Sequence, residues 1–301
     1  MNRRRNGTAL LFLLPNAAGF LSFTLFPVAA ALILSLFEWD IFHPPRFVGM
    51  KNFVDLLGGS YDHDHWQAND PRFWKYLGNT FFFMISVPAT VFLSLLLAVV
   101  LNQKLIGRNL FRTLYFLPTI CAGIGLMLLW KFLYNPQFGL INRVLSFIGI
   151  EGPDWLDSYH WAKPAIMIMN LWVNVGGTSM ILYLAGLQSI SPELYEAASL
   201  DGAAAWHKFW HITVPLVAPT TFFIAITSII AGFQGEFDSA YVMTQGGPDG
   251  ATTAISYYIY NHAFQYFNMG YAASIAVVLF ALILVVTLIS WRLGGGRLPD
   301  A

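Results

Sequence analysis

The sequence places two groups of polar side chains within otherwise apolar stretches, and these groups are its candidates for chemistry. The first lies at the end of an uncharged run, beside Gly232 and Gly235, and comprises Gln234, Glu236 and Asp238. The second lies inside another uncharged run and comprises Asn170, Trp172, Asn174 and Thr178. Polar groups inside an apolar segment indicate a functional site by default, because burying them is costly. They could hydrogen-bond a polar solute. The open alternative is that the first group lies at a helix end among lipid headgroups.

Catalytic and metal-binding chemistry has little support in the sequence. There is no G-x-S-x-G motif, and no pair of carboxylates lies deep in an uncharged run. None of the lysines is followed by the Ser or Thr of a Walker A motif, so we predict that this chain is not an enzyme and binds no cofactor itself. The histidines and aspartates at 61–65, and the pair His207 and His211, lack supporting ligand spacing, which favours solvated side chains over a metal site.

The elements that carry the polar groups are predicted to be membrane helices. Of the 301 residues, 56% are hydrophobic and 11% are charged, about half the charge of an average soluble protein, which excludes a water-soluble globular fold. Lys and Arg together number 16, as do Asp and Glu, so no basic excess supports nucleic-acid binding. The single cysteine, Cys121, excludes an internal disulfide.

Runs without charged residues locate the spans, because a bilayer core of roughly 30 Å needs about 20 apolar helical residues. Six runs qualify: residues 8–37, 76–103, 113–130, 164–192, 212–235 and 269–291. In lipid, only a helix satisfies its own backbone hydrogen bonds without closing a barrel, and no run shows the alternation of a barrel strand. We therefore predict an all-α polytopic membrane protein, with six transmembrane helices in a single domain over residues 1–301.

Two segments need a separate interpretation. Residues 8–37 are too long for the core of a signal peptide, so we interpret them as a retained helix that is kinked or bounded by Pro15 and Pro27. Residues 252–268 are polar and aromatic, and we interpret them as an amphipathic segment that lies on the membrane surface.

The distribution of Lys and Arg predicts the orientation. Nine of the 16 basic residues lie in short segments on one side of the membrane: Arg3, Arg4, Arg5, Lys104, Arg108, Arg112, Lys208, Arg292 and Arg297. The longer segments on the other side hold the rest at lower density. Cytoplasmic segments carry the excess of Lys and Arg, so both termini are predicted to be cytoplasmic.

The loop between the fourth and fifth predicted spans, residues 191–215, has the clearest local pattern. Ser191 is a good N-cap, Pro192 suits the first helical position and Glu193 suits the positive end of the helix dipole, so a helix begins there. We expect Gly202 to end that helix. A second short helix follows and carries aromatic residues on one face: Trp206, Phe209 and Trp210. Amphipathicity alone is equally compatible with a knob that docks into a partner and with an interfacial helix.

Spacing within the 191–215 loop decides between these alternatives. The pattern EAA-x3-G-x9-I-x-V-P is formed by Glu196, Ala197, Ala198, Gly202, Ile212, Val214 and Pro215. It resembles the EAA loop of binding-protein-dependent ABC importer permeases and departs from it only in Val214, where the motif has Leu. Residues 187–190, and the segment from Thr244 to Thr253 with its Gly-Gly-Pro, resemble the carbohydrate-uptake branch of maltose and sn-glycerol-3-phosphate permeases.

This resemblance implies a fold and a set of partners. The fold is that of a type I ABC importer permease in a bacterial or archaeal cytoplasmic membrane. The partners are a second permease subunit, two cytoplasmic ATPase subunits that bind ATP and Mg, and an extracytoplasmic sugar-binding protein. The ATPase-coupling residues would be Glu196, Ala197, Ala198, Asp201, Gly202, Ile212 and Pro215. In that family the stretch before the Gly-Gly-Pro helps line the sugar site, which favours Gln234 and Glu236 as substrate-path residues beside Asn174 and Thr178.

Import of an oligosaccharide or a polyol is therefore the leading interpretation, with two alternatives. A proton-coupled secondary carrier would be expected to have ionisable residues in mid-span and inverted repeats, and neither is visible. A permease for a phosphorylated polyol such as glycerol 3-phosphate would need Lys or Arg in its cavity, whereas only Lys131 and Lys163 stand near the outer mouth, so a neutral glycan is favoured. The pattern identifies neither the sugar nor whether the second permease is a homologue or a copy.

Overall fold

The computed structural model describes residues 12–62, 65–121 and 123–294. The basic residues at positions 3–5, Arg297, and residues 63 and 64 of the histidine-containing loop lie outside these ranges.

Helices dominate the described residues. The first part of the chain contains α1 (Phe12–Leu34), β1 (Phe37–Glu38), β2 (Arg46–Phe47), α2 (Lys51–Leu57), β3 (Gly59–Asp62), β4 (His65–Ala68) and α3 (Pro71–Met84). The middle part contains α4 (Ser86–Asn102), α5 (Arg108–Ile120), α6 (Gly123–Leu133), α7 (Leu140–Phe147), α8 (Ala162–Val175) and α9 (Thr178–Gln188). The last part contains α10 (Pro192–Leu200), α11 (Ala205–Lys208), α12 (Ala218–Gln234), α13 (Phe237–Ser239), α14 (Ile255–Tyr260) and α15 (Met269–Gly294).

Several helices are extended by π-helical turns. These turns are Leu21–Leu25 within α1, Phe209–Thr213 after α11, Ala240–Thr244 after α13 and Asn261–Gln265 after α14. A last helical turn, Val214–Leu216, follows the π-helical turn after α11.

Five helical stretches within the described ranges are long and apolar enough to cross a membrane: Phe12–Leu34, Pro71–Asn102, Ala162–Gln188, Ala218–Thr244 and Met269–Arg292. The bent pair of α5 and α6 supplies a sixth if it counts as one span. Each overlaps one of the predicted uncharged runs. The prediction of an all-α polytopic membrane protein is thus confirmed.

One compact unit comprises the described residues up to Trp74 together with Tyr258–Leu282. Its strands form two antiparallel hairpins, β1 with β2 and β3 with β4. The side-chain amide of the buried Asn52 donates hydrogen bonds to the carbonyls of Ser35 (2.8 Å) and Phe37 (2.9 Å). These bonds satisfy backbone groups where the chain leaves α1, and so they tie α2 to the end of the first span.

The second compact unit comprises Lys75–Tyr257 and the described residues from Ile283 onward, and its buried apolar side chains form two clusters. The first cluster comprises Leu95, Ala98, Leu101, Met180, Tyr183, Leu184, Leu187, Ile190, Val217 and Ile224. The second comprises Phe83, Tyr134, Trp155, Ala165, Ile166, Met169 and Met243. Close packing of this kind holds helices together in a membrane, where apolar side chains gain little by leaving lipid.

The third predicted span, residues 113–130, is not one straight helix. Helices α5 and α6 meet at an angle of 99°. Pro118 removes a helical hydrogen-bond donor just before the break, and Gly123 and Gly125 have low helix propensity just after it. A count of charge-free residues contains no information about such a bend.

The interpretation of residues 252–268 as a surface segment is wrong for its first half. Thr252 and Ile255 are fully buried, and Tyr257 and Tyr258 are only 5% exposed. The polar residues can be buried because their hydroxyls are hydrogen-bonded: Thr252 Oγ1 donates to the Gly247 carbonyl at 3.0 Å.

Candidate functional site

Helix α12 ends at Gln234, and the chain turns before the span continues. Gly235 is extended, with ψ −168°, and Glu236 has φ +66°, a left-handed conformation that is unfavourable for a residue with a side chain. The span then resumes with α13 and the turn Ala240–Thr244. Broken helices persist inside membranes where their freed polar groups are buried in protein or line a cavity, so this break marks a candidate site.

The carboxylate of Glu236 connects two spans. Its Oε1 accepts a hydrogen bond from Nδ2 of Asn170, on α8, at 2.7 Å. Its Oε2 is buried and has no hydrogen-bond partner within the described part of the chain. Asn174 lies one turn after Asn170 and donates its own side-chain amide to the Asn170 carbonyl at 2.8 Å. The two sets of polar residues that the sequence places on the fourth and fifth spans are therefore adjacent in the structure.

A cavity of about 360 Å³ lies at this meeting point. Its polar lining residues are Ser86, Thr90, Asn170, Asn174, Ser179, Ser228, Gln234, Glu236, Asp238 and Ser239. Its larger apolar lining residues are Phe83, Val87, Met127 and Phe237. Hydroxyls, amides and carboxylates beside flat aromatic rings can bind a solute that has both hydroxyl groups and apolar faces.

Three of the four residues predicted to line a substrate path, Asn174, Gln234 and Glu236, line this cavity. Thr178 is not among the lining residues, and its neighbour Ser179 is. Asn174 and Thr178 would share one face of a continuous helix, but Gly176 and Gly177 interrupt the span between α8 and α9. The interruption changes which residue of α9 reaches the cavity.

The glycines at this second break permit close approach of another helix. A Cβ on Gly176 would overlap the backbone carbonyl of Tyr115, on α5. The carbonyl of Val175, at the end of α8, accepts a hydrogen bond from the Ser94 hydroxyl at 3.0 Å. Ser94 thus satisfies a backbone group at the break, as buried polar groups require.

The ionisable side chains that line the cavity are all acidic within the described ranges. Glu236 and Asp238 are its ionisable lining residues, and within the described ranges no lysine or arginine lines it. The two lysines that the sequence placed near the outer mouth have other contacts. Lys131 Nζ donates to the Val242 carbonyl at 3.3 Å, and Lys163 Nζ lies 5.1 Å from the centre of the Phe82 ring.

The sequence does not predict the small polar residues and the aromatic walls of the cavity: Ser86, Thr90, Ser179, Ser228, Ser239, Phe83 and Phe237. Serine and threonine are common in membrane helices because they allow close packing, so no pattern distinguishes the ones that line a cavity.

The 191–215 loop forms two short helices joined at Gly202, which has φ +76°. The N–H of Gly202 donates to the Ser199 carbonyl (3.1 Å), and that of Ala203 donates to the Ala198 carbonyl (2.8 Å). Such bonds with a left-handed residue are typical of a helix C-cap, as the sequence predicts. A Cβ on Gly202 would meet no atom of the described residues within 4 Å, so glycine is required by the backbone conformation and not by lack of space.

One face of the 191–215 loop packs against the first apolar cluster, and the other is exposed. Tyr195, Phe209 and Ile212 contact that cluster, and the Tyr195 hydroxyl lies 3.0 Å from Thr213 Oγ1. The exposed face includes large apolar side chains, since Leu200 is 90% and Trp206 is 67% exposed. Of the residues assigned to coupling, Glu196, Ala197, Asp201, Gly202 and Pro215 are exposed, and Ala198 and Ile212 are partly buried.

Most of the chain, residues 69–293, matches the family described as the binding-protein-dependent transport system inner membrane component. The chain belongs to this family. This permease is also similar over nearly its whole length to individual relatives. It is 37% identical to the probable ABC transporter permease protein YurN of Bacillus subtilis, with 94% of both chains covered.

Two other relatives of this permease have names that state a substrate. The lactose transport system permease protein LacF of Rhizobium radiobacter is 36% identical, with 93% of this chain and 92% of LacF covered. The trehalose/maltose transport system permease protein MalF of Thermococcus litoralis is 34% identical, with 95% of this chain and 93% of MalF covered.

The fold of this permease is also found in a solved structure. A chain of a bacterial alginate ABC transporter, in complex with an alginate pentasaccharide-bound periplasmic protein, superposes with a TM-score of 0.82 at 24% identity, and covers 96% of this chain and 94% of that one. The predicted type I permease fold is therefore confirmed.

Proposed function

We propose that this permease forms part of the path through which an ATP-driven importer takes up an uncharged sugar, an oligosaccharide or a polyol. The observation that carries the proposal is the polar cavity at the break of the fifth span, where Glu236 accepts a hydrogen bond from Asn170 and its second, buried oxygen has no partner among the described residues. A sugar hydroxyl could donate a hydrogen bond to that oxygen. The names of the relatives support a sugar substrate.

The sign of the charge argues against acidic substrates. A phosphate or uronate group entering this cavity would meet the carboxylates of Glu236 and Asp238, and no lysine or arginine among the described residues lines the cavity to neutralise it. Both the phosphorylated polyol and an acidic polysaccharide are therefore disfavoured. An uncharged sugar has the hydroxyl donors that the carboxylates need and adds no like charge.

A proton-coupled carrier remains the second candidate because one observation favours it. Glu236 is an ionisable residue within the Ala218–Thr244 span, which is where a carrier would place a proton-binding group. Membership of a binding-protein-dependent family and the exposed 191–215 loop both favour ATP coupling.

The partners follow from the family and from the loop. We propose that two ATPase subunits, which bind ATP and Mg, dock on two permease subunits, one on each. The docking surface is the exposed face of the 191–215 loop. An extracytoplasmic sugar-binding protein would deliver the substrate at the opposite side of the membrane. The exposed Leu200 and Trp206 give the loop an apolar surface that a docking groove could cover.

Cysteine labelling is expected to place the 191–215 loop on the cytoplasmic side. In intact cells, a membrane-impermeant maleimide should label Glu151→Cys, in the segment between the third and fourth spans, and should spare His207→Cys until the membrane is opened. Both positions are exposed, so accessibility within the protein does not bias the result. Labelling with the reverse pattern would contradict the proposed orientation and ATPase docking together.

Uptake measurements with a panel of sugars test the substrate class. Cells that express this permease with its partners should take up at least one of lactose, maltose, trehalose and arabinotriose. Uptake of glycerol 3-phosphate and of an alginate trisaccharide should be about tenfold lower than uptake of that sugar, because burying a negative charge beside carboxylates is costly. Uptake should survive a protonophore and stop on ATP depletion. Preferential uptake of an acidic compound, or uptake that the protonophore abolishes, would overturn the proposal.

A further inference from the structure

The loop that follows the fifth span, residues 244–255, is bonded to itself and is buried over residues 251–255. Ala251 and Thr252 are fully buried, although the segment connects two helices. The hydroxyls of Thr244 and Thr252 lie 2.6 Å apart, and Thr253 Oγ1 donates to the Gly246 carbonyl at 3.2 Å. A Cβ on Gly246 would lie 2.5 Å from Thr253 Oγ1, so the glycine is needed for this packing.

Helix α3 holds the 244–255 loop in place through its polar side chains. The contacts are Lys75 Nζ to the Asp249 carbonyl (2.6 Å), Asn79 Nδ2 to the carbonyls of Gly250 (2.9 Å) and Thr253 (2.8 Å), and the Ile255 N–H to Thr80 Oγ1 (3.0 Å). Asn79 and Thr80 are themselves buried, at 3% and 1% exposed. Charged and polar anchors of this kind restrict the loop more strongly than apolar contacts do, because breaking them leaves buried groups unpaired.

The loop delivers one side chain to the break in the fifth span. Ser256 follows the loop directly, and its Oγ donates a hydrogen bond to the Gly235 carbonyl at 2.8 Å. Gly235 lies where the regular helical hydrogen-bond pattern is interrupted, immediately before the left-handed Glu236. The bond therefore holds the peptide group that sets the direction of the Glu236 side chain.

We propose that Ser256 is a positioning residue for the substrate cavity, and that the 244–255 loop serves to present it. Two connections then hold Glu236: Asn170 binds the side chain, and Ser256 binds the backbone just before it. The inference rests on the proposed function, because it assigns Ser256 an effect on sugar recognition through Glu236. A purely structural serine would change the amount of folded permease and not its apparent affinity.

The test uses hydroxyl-conserving and hydroxyl-removing variants of the complete importer, with the panel sugar of highest uptake as probe. Ser256→Ala should raise the KM for uptake about three- to tenfold, the equivalent of one net hydrogen bond, with Vmax per assembled complex unchanged. Ser256→Thr should stay within about twofold of wild type, since it keeps the donor. Ser256→Val has the shape of Thr without the hydroxyl and replaces Ser256→Ala if the alanine variant assembles poorly.

Two controls make the result specific. Thr227→Ala removes a hydroxyl that donates to the Phe223 carbonyl at 2.9 Å within the same helix α12, away from the break, and should leave KM unchanged. In a Glu236→Ala background, Ser256→Ala should add no further change in KM, because a positioning residue acts only through the group it positions.

A second readout needs no sugar. In otherwise wild-type permease, Asp238→Cys places a thiol at the cavity just after the break. Its reaction rate with a water-soluble maleimide should rise about threefold when Ser256→Ala is added and should not rise with Ser256→Thr. An unchanged rate together with an unchanged KM would overturn the positioning role while leaving the proposed function intact. Normal uptake by Glu236→Ala would overturn both.

Discussion

Replacing Gly202 with valine is expected to lower uptake at least about tenfold while the permease remains in the membrane. Gly202 has φ +76°, a conformation that costs a β-branched residue about 1–3 kcal/mol or more. The Cβ of a valine would not clash, because no atom in the described part of the chain lies within 4 Å of the place it would occupy. The strain would therefore change the angle between the two helices of the 191–215 loop and would not unfold the spans. Uptake normalised to the amount of permease in the membrane measures the effect.

Gly202→Asn is the matched control for this substitution. Asparagine tolerates the left-handed backbone conformation and occurs at helix C-caps. This variant should therefore retain most of the uptake, although asparagine adds a side chain that glycine lacks. Copurification of the ATPase subunits should fall with valine and not with asparagine. Glu196→Ala, on the exposed face of the same loop, should weaken copurification similarly. Wild-type uptake by the valine variant would show that the loop geometry is not needed for coupling.

Removing the carboxylate of Glu236 is expected to have a comparably large effect on substrate passage. Glu236→Ala leaves the Asn170 amide without its acceptor at 2.7 Å and removes the acceptors that we assign to sugar hydroxyls. A lost partner in a partly desolvated cavity costs about 1–3 kcal/mol, which corresponds to a fall in uptake of about 5- to 150-fold. Glu236→Gln keeps one acceptor oxygen and should fall between alanine and wild type.

The complex should still assemble in these variants and keep its basal ATPase activity, because the substitution leaves the 191–215 loop unchanged. Glu151→Ala, which removes an exposed carboxylate outside the spans, is the control and should not alter uptake. Gln234→Ala should behave as Glu236→Ala does. If Glu236→Ala and Gln234→Ala both transport normally, the cavity at the break of the fifth span is not the substrate path.

The spans could be predicted from sequence because a bilayer imposes one dominant constraint, the absence of charge over about 20 residues. That constraint does not act on helix interruptions. The bend after Pro118 has local signals in Pro118 and Gly123, but a count of charged residues does not register them. The break at Gly176 depends on the approach of the Tyr115 carbonyl. The turn at Glu236 is accompanied by hydrogen bonds from Asn170 and Ser256. The burial of residues 252–258 could not be predicted for the same reason, since it depends on hydrogen bonds to partners distant in sequence.

The candidate site was predictable in part. Asn174, Gln234 and Glu236 stand out because amides and carboxylates are rare in apolar runs. The 191–215 loop stands out because six of its positions follow a fixed pattern, and Gly202 has the left-handed conformation that its place at a helix end predicts. Ser256 and Ser94 could not be predicted, because their roles depend on carbonyl groups that become free only where another helix is interrupted.

The polar lining of the cavity at the helix break also determines how a bound sugar exchanges with water. A polar space of about 360 Å³ has room for on the order of ten water molecules, and its hydroxyl, amide and carboxylate groups supply the partners that would keep such molecules hydrogen-bonded. A sugar entering the cavity would exchange those waters for its own hydroxyls nearly one for one. The net enthalpy of such an exchange is small, so occupancy would be brief and release would need little work. Weak binding, in which the sugar replaces waters that made similar hydrogen bonds, suits a protein that must release its ligand.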